Sequence, residues 1–202
     1  MVIYDDINLK DIRFCEFIDQ IQPNRRMLVY KTSKILYPFA NDEMKLTFEC
    51  PELLRQCINL ENQYTLWDDS FTLHIGLNMN NEKHAHFVKW LKLFEKKCKK
   101  HLEKQFGKDV KFDCFLHQSP NYSPLLELRG KFNNVKTALV DKNTNTTIPI
   151  ELTYDNLTNY ISRGIRFHKL VVSINSLFYN TKDKKCGLHI NIDILHLSLI
   201  HI

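Results

Sequence analysis

The chain has 202 residues, 44% of them hydrophobic and 25% charged, with a formal net charge of +5. It can build one sizeable core and is too apolar to be mainly disordered. Five glycines and no G-x-G-x-x-G or G-K-[ST] run exclude phosphate-cradling loops of the nucleotide-binding kind.

Six scattered cysteines (Cys15, Cys50, Cys57, Cys98, Cys114, Cys186) lack a C-x-x-C pair. They signal neither a zinc module nor a disulfide framework, and read as reduced, mostly buried thiols. The opening "MVIYDDINLKDIRF" has two aspartates where a secretory signal needs basic and then apolar residues, and no apolar run reaches membrane-spanning length. The expectation is a soluble, cytoplasmic protein with no membrane partner. The N-x-S/T sequons at Asn121, Asn145 and Asn156 read as chance occurrences in an Asn-rich chain.

In chain order, the first strand signal is "MKLTFE", where Met44, Leu46 and Phe48 share a face. "FTLHIGLNM" follows, with Phe71, Leu73, Ile75, Leu77 and Met79 on one side. A strong helix covers 81–106: Phe87, Trp90, Leu91, Phe94, Cys98, Leu102 and Phe106 recur at three- and four-residue steps, and Gly107 stops it. Its outer face holds Lys89, Lys92, Lys96, Lys99 and Lys100. These could follow a phosphate backbone, although solvation is the plain reading of such a face. Next comes "VKFDCFLH", with Val110, Phe112, Cys114 and Leu116 alternating, then strands over 125–132, 135–141 and 146–150. The chain closes on 161–179 and 186–197, separated by the turn "NTKDKK". In "CGLHINIDIL" Cys186, Leu188, Ile190, Ile192 and Ile194 oppose Gly187, His189, Asn191 and Asp193. Many antiparallel strands around one helix predict a mainly β fold with inserted α, a barrel or sandwich, in one elaborated domain spanning 1–202.

Catalytic signals are thin. Cys98 and His101 stand at i, i+3 after His84-x-His86, but without paired ligand spacing they read as a core edge. Asp68 and Asp69 are adjacent, and on a strand they face opposite ways. No serine sits in a nucleophile elbow. Neither enzyme activity nor a metal or cofactor is expected.

Basic and aromatic residues interleave on the later strands. "LELRGKF" puts Glu127, Arg129 and Lys131 on one face, with Leu126, Leu128 and Phe132 on the other and Lys136 just beyond. "ISRGIRFHKLVVSINSLFY" carries Arg163, Arg166, His168 and Lys169 within seven residues and no acid. On a regular strand Arg166 and His168 would oppose Phe167 and Lys169. The apolar positions, however, change parity from Ile165 and Phe167 to Leu170, Val172 and Ile174, which predicts a bulge at 168–170. Single strands are held by cations on phosphates and by rings under unstacked bases, roughly 1–3 kcal/mol per stack. Tyr37, Tyr122 and Tyr179 sit beside polar or loop residues, whereas most of the phenylalanines read as core.

The tracts "PLLELRGKF", "ALVDKNTNTTIPI" and "ISRGIRFHKLVVSINSLFYNTKDKKCGLHINIDILHL", with "KILYPFANDEMKLTFECPEL" near the N-terminus, resemble the OB-fold single-stranded DNA-binding proteins of large cytoplasmic DNA viruses and yeast cytoplasmic linear plasmids. The likeness is one of feature order over more than half the chain. It implies an OB-like antiparallel barrel, elaborated by extra strands and the long helix, that coats exposed single strands during DNA replication. Lys131 and the 163–169 cluster would line its groove, and the loop with Lys182, Lys184 and Lys185 would stand where a hairpin closes over the oligonucleotide. Proteins of this kind often end in an acidic tail. This chain ends "LHLSLIHI", which reads as a final or edge strand open to pairing.

The expected phosphate contacts are therefore Arg129, Lys131, Lys136, Arg163, Arg166, His168 and Lys169 with the loop lysines, and the expected base-stacking rings are Tyr37, Phe132 and Tyr179. Partners would be single-stranded DNA or RNA, replication proteins and further copies of the chain. The competing readings are a protein-interaction or capsid-type β domain whose basic residues serve only solubility, and a metal-dependent nuclease, whose carboxylates strand parity keeps apart.

Overall fold

Apolar side chains recurring at every second residue become strands in the computed structural model, with one exception. The structure describes residues 2–21, 29–39, 42–51, 70–119, 122–141, 143–144, 146–162 and 166–199. Its strands before the long helix are β1 (Val2–Ile3), β2 (Arg13–Phe14), β3 (Ile18–Ile21), β4 (Val29–Phe39), β5 (Asp42–Glu49) and β6 (Ser70–Gly76). After helix α1 (Glu82–Phe106) come β7 (Lys111–Phe112), β8 (Leu116–Ser119), β9 (Tyr122–Lys131), β10 (Lys136–Asp141) and β11 (Thr146–Ile150). A second helix, α2 (Tyr154–Ser162), precedes the two longest strands, β12 (Arg166–Asn180) and β13 (Lys185–Leu199).

The fold is mainly β with inserted α, as expected; among the described residues the strands form a mixed open sheet and a small second sheet in place of an OB-like antiparallel barrel. The large sheet runs β1-β5-β4-β12-β13-β10-β11, with β2 and β3 on β4 and β7 on β13; β6, β9 and β8 make a separate three-stranded sheet. Among the described residues β1 and β11 do not pair, so the large sheet stays open. It is also mixed: β1 with β5, β10 with β13 and β7 with β13 are parallel. The 3-10 turn Phe132–Asn134 lifts the chain out of the small sheet after β9 and sets β10 down on β13. The last strand is not an edge: β13 lies between β12 and β10.

Helix α1 begins and ends where predicted. The Asn81 side chain accepts from the backbone N–H groups of Lys83 and His84 at 3.0 and 3.2 Å. Gly107 ends it at φ 96°, a conformation that favours glycine, and donates its N–H to the Glu103 carbonyl at 3.0 Å. Phe87, Leu91, Phe94, Cys98 and Leu102 join one contiguous core with Leu73 and Ile75 of β6, Leu126 and Leu128 of β9, and Leu170, Val172 and Ile174 of β12. Each large apolar side chain so buried contributes roughly 1.5–3 kcal/mol. Phe48 meets Trp90 at 5.0 Å, and Tyr4 meets Phe87 at 4.7 Å, so the N-terminal half of α1 lies on β5 and the start of the chain.

Two elements depart from the sequence reading. The alternating run 110–116 is split into β7 and β8, because the Glu95 carboxylate accepts from the N–H groups of Phe115 and Leu116 at 3.0 and 3.1 Å and turns the chain there. Cys114 is exposed instead of sharing a face with Val110. Helix α2 was unforeseen; the Thr153 hydroxyl caps it by accepting from the Asn156 N–H at 3.2 Å, and Leu157 enters the core. Among the described residues no helix is long and apolar enough to cross a membrane.

Candidate nucleic-acid interface

Three irregularities shape the β12–β13 pair. His168 is the extra residue between the pairs Phe167–Leu197 and Lys169–His196, Asp193 between Val171–Ile194 and Val172–Ile192, and Asn175 between Ile174–Ile190 and Ser176–His189. The bulge predicted at 168–170 is thus present. It keeps Phe167, Leu170 and Val172 on the core side and turns Lys169 to the opposite, outer face of the sheet.

At one end of that outer face stands a group of basic side chains. Lys169 Nζ lies 3.3 Å from Glu49 Oε2, His196 is paired with Lys169 across the strands, and Lys136 is exposed at the start of β10. Burial lowers the pKa of His196, and the charges of Lys169 and His168 lower it further against an opposing pull from Glu49. At the other end Phe178 stacks on His189, centroids 5.0 Å apart and planes at 21°. Phe178 lies opposite Gly187, where a Cβ would meet the ring at 3.0 Å and the Asp113 carbonyl oxygen at 3.2 Å. The missing side chain gives the ring its seat. Ser176 Oγ and His189 Nδ1 are 2.9 Å apart, and burial lowers the His189 pKa. Phe178 is among the phenylalanines that the sequence alone assigns to the core; its parity with Ser176, opposite a glycine, is the signal that marks it.

The predicted cations fall into three groups. Arg129 and Lys131 are exposed on the small sheet, where Glu127 lies 3.5 Å from Arg129 and 3.2 Å from His117. Lys136, His168 and Lys169 belong to the outer face of the large sheet. Lys182, Lys184 and Lys185 are exposed at the β12–β13 tip, with Lys184 paired to Asp109; their hydrogen bond lowers the Asp109 pKa and raises that of Lys184. Arg163 lies outside the described residues, as do Ile165, Cys57, Asp68, Asp69, Asn121 and Asn145, and Arg166 opens β12 opposite Ser198. The entrance and the tip do not flank one narrow groove: thirteen residues of strand separate Lys169 from Lys182, roughly 40 Å.

The predicted stacking rings are placed differently from expectation. Tyr179 is buried at 8% exposure against Phe106, because its parity faces the core. Phe132 packs on Phe71 at 4.9 Å. Tyr37 is half-buried, packs against the core and donates its hydroxyl to the Asp6 carbonyl at 3.3 Å. Tyr122 is 78% exposed at the start of β9.

The histidines and the one thiol of α1 do not converge on a common site. His84 is buried and its Nδ1 accepts from the Asn78 N–H at 3.0 Å, whereas His86 is exposed with Asp5 at 2.8 Å. His101 stacks with Phe14 and Phe17, centroids 4.4 and 5.8 Å away, one turn of helix from the buried Cys98. The described cysteines are free thiols; burial pushes Cys98 and Cys50 up and Cys186 up to about 11, and partial desolvation with the nearby Glu95 and Asp113 carboxylates does the same for the exposed Cys114, which keeps them protonated at neutral pH. Among the described residues no three His, Cys, Asp or Glu side chains are placed to hold a metal ion. No known protein-family model matches the chain, and no curated protein sequence matches it either.

Proposed function

We propose that the protein binds single-stranded DNA without regard to sequence and without chemistry on it, coating exposed strands during replication in the cytoplasm. The observation that carries this is a stacked ring pair, Phe178 on His189, at one end of a sheet face and Lys136, His168 and Lys169 at the other, with Val171 and Ser173 buried between them. Nine residues of β12 separate Phe178 from Lys169, about 30 Å of strand. Bases would stack on the ring pair while the cations neutralise phosphates further along. The resemblance in feature order to viral and plasmid single-strand-binding proteins supports the same reading. Replication proteins and further copies of the chain are the partners that role implies.

The test is fluorescence anisotropy with labelled oligo(dT), single- and double-stranded, at two salt concentrations. Preference for the single strand is expected, with affinity that falls steeply with salt, at a log–log slope of about −0.7 per phosphate neutralised. Phe178→Ala with His189→Ala is expected to weaken binding, and a flat salt response would overturn the reading.

A second reading, a protein-interaction or capsid-type β domain, is favoured by the spread of the predicted cations over three regions and by edge strand β11. Thr146, Thr147, Ile148 and Pro149 are exposed there, Ile148 at 53%. Under it, oligo(dT) is not bound and sedimentation velocity gives an assembly that Ile148→Lys dissolves.

A further inference from the structure

The net charge of the chain is concentrated on one element. Helix α1 contains eight lysines and three glutamates, a net +5, which equals the formal charge of the whole chain; the rest is balanced at twenty basic against twenty acidic residues. Two of the eight lysines lie apart from its outer face. Lys97 turns inward, its Nζ donating to the Leu9 carbonyl and, at 3.0 Å, to the Ile12 carbonyl, and Lys83 sits in the first turn. The other six, Lys89, Lys92, Lys96, Lys99, Lys100 and Lys104, are exposed at three- and four-residue steps on one face. Only Glu103 interrupts them, 3.9 Å from Lys99. Like charges at i, i+4 destabilise a helix by a few tenths of a kcal/mol per pair, and solvated faces ordinarily alternate in sign. This face does not.

Nor does the track stop at the helix end. Beyond Gly107, Lys108 and Lys111 are exposed, Lys111 pairs with Lys185 on β13, and Lys182 is exposed at the hairpin tip; Asp109, Asp113 and Asp183 stand among them, Asp109 already paired with Lys184. Lys89 to Lys104 covers about 22 Å of helix, and the tip then leads to Phe178, four residues before Lys182. We infer that this track, the outer face of α1 continued over the 182–185 tip, carries the phosphodiester backbone of a single strand whose bases reach the Phe178–His189 platform. The inference rests on the single-strand reading and assigns the strand its main electrostatic path, on the helix side of the sheet. A bilayer fits poorly, because the apolar face of α1 is already buried through Phe87, Trp90, Leu91 and Phe94, and Leu93, at 49% exposure, is the one apolar side chain exposed along its outer face.

The test compares two variants of equal charge change: Lys96→Glu with Lys100→Glu on the track, and Lys10→Glu with Lys83→Glu away from it, all four exposed. Circular dichroism and Tm first establish that both fold. With labelled oligo(dT) at low salt the track variant is expected to lose affinity about tenfold or more and to flatten the salt slope by about 1.4, while the control loses about twofold or less. Equal losses in both variants, or wild-type affinity in the track variant, overturn the inference while the single-strand reading stands. Failure of the wild type to bind oligo(dT) overturns both. Binding of the wild type to anionic phosphatidylserine vesicles, lost in the track variant while oligo(dT) binding is kept, overturns the nucleic-acid assignment of the track.

Discussion

The rings of Phe106 and Tyr179 lie face to face, centroids 4.0 Å apart and planes within 4°. Phe106 is the last residue of α1 and Tyr179 the last but one of β12, so this contact fastens the helix end to the hairpin tip. Tyr179→Ala is expected to lower stability by about 3 kcal/mol, the cost of truncating a buried aromatic ring. Tyr179→Phe keeps the stack and should leave both the urea midpoint and oligo(dT) affinity unchanged. If Tyr179→Phe folds normally but binds weakly, the tyrosine is a ligand contact after all.

Glu95 is the polar link between α1 and β8. Its carboxylate is buried at 8% exposure, desolvation raises its pKa, and two backbone N–H groups and the Cys114 thiol pull it back down. Glu95→Ala leaves the Phe115 and Leu116 N–H groups without their acceptor and is expected to cost about 2–3 kcal/mol by urea denaturation. Glu95→Gln retains a carbonyl acceptor and removes a buried charge, so its cost should be well under half of that. Equal losses in the two variants would show that the charge, not the hydrogen bonds, holds β8.

What the sequence revealed and what it hid follow from the range of the interactions. Helix α1 was legible to its caps, because Asn81, the apolar stripe and Gly107 act within a few residues of themselves. The bulge at His168 was legible from the parity of Phe167 against Leu170 and Val172. The split at Asp113 was not, since it depends on Glu95, some twenty residues away. The open sheet was hidden for the same reason: parallel pairing of β10 with β13 joins residues nearly sixty positions apart. Tyr179 was misjudged because the polar residues beside it indicate a strand end, while parity on β12, shifted again at Asn175, decides which way its ring points. The lysine face of α1 was visible, but its continuity with Lys111 and the hairpin tip required the β7–β13 pairing.

Gly130 stands between Arg129 and Lys131, paired with Phe71 across the small sheet. A Cβ there would come within 2.5 and 2.8 Å of the Phe71 ring, which is itself buried. Gly130→Ala must displace that ring or bend β9, and is expected to destabilise by about 1–3 kcal/mol as overpacking does. A urea midpoint equal to that of the wild type would mean that Phe71 has another rotamer open to it.

Stability is expected to fall as pH drops below about 6.5, the value at which histidines of the unfolded chain take up protons. Burial lowers the pKa of His101, His189 and His196 in the folded state, Lys104 lowers His101 further, and Lys169 and His168 do the same to His196. Between the folded and unfolded values the unfolded chain binds more protons, so this contribution is complete above about 6.5 and is lost as pH falls through the folded values. Glu95 acts in the other direction: its raised pKa makes the native state the better proton acceptor in the window above the ordinary carboxylate value, about 4.3. With three histidines set against one glutamate, Tm should be lower at pH 5.5 than at pH 7.5. His101→Phe keeps a ring stacked with Phe14 and Phe17 and removes one titration, so its Tm difference between the two pH values should be smaller. An undiminished difference would assign the effect to His189 and His196, on the outer face.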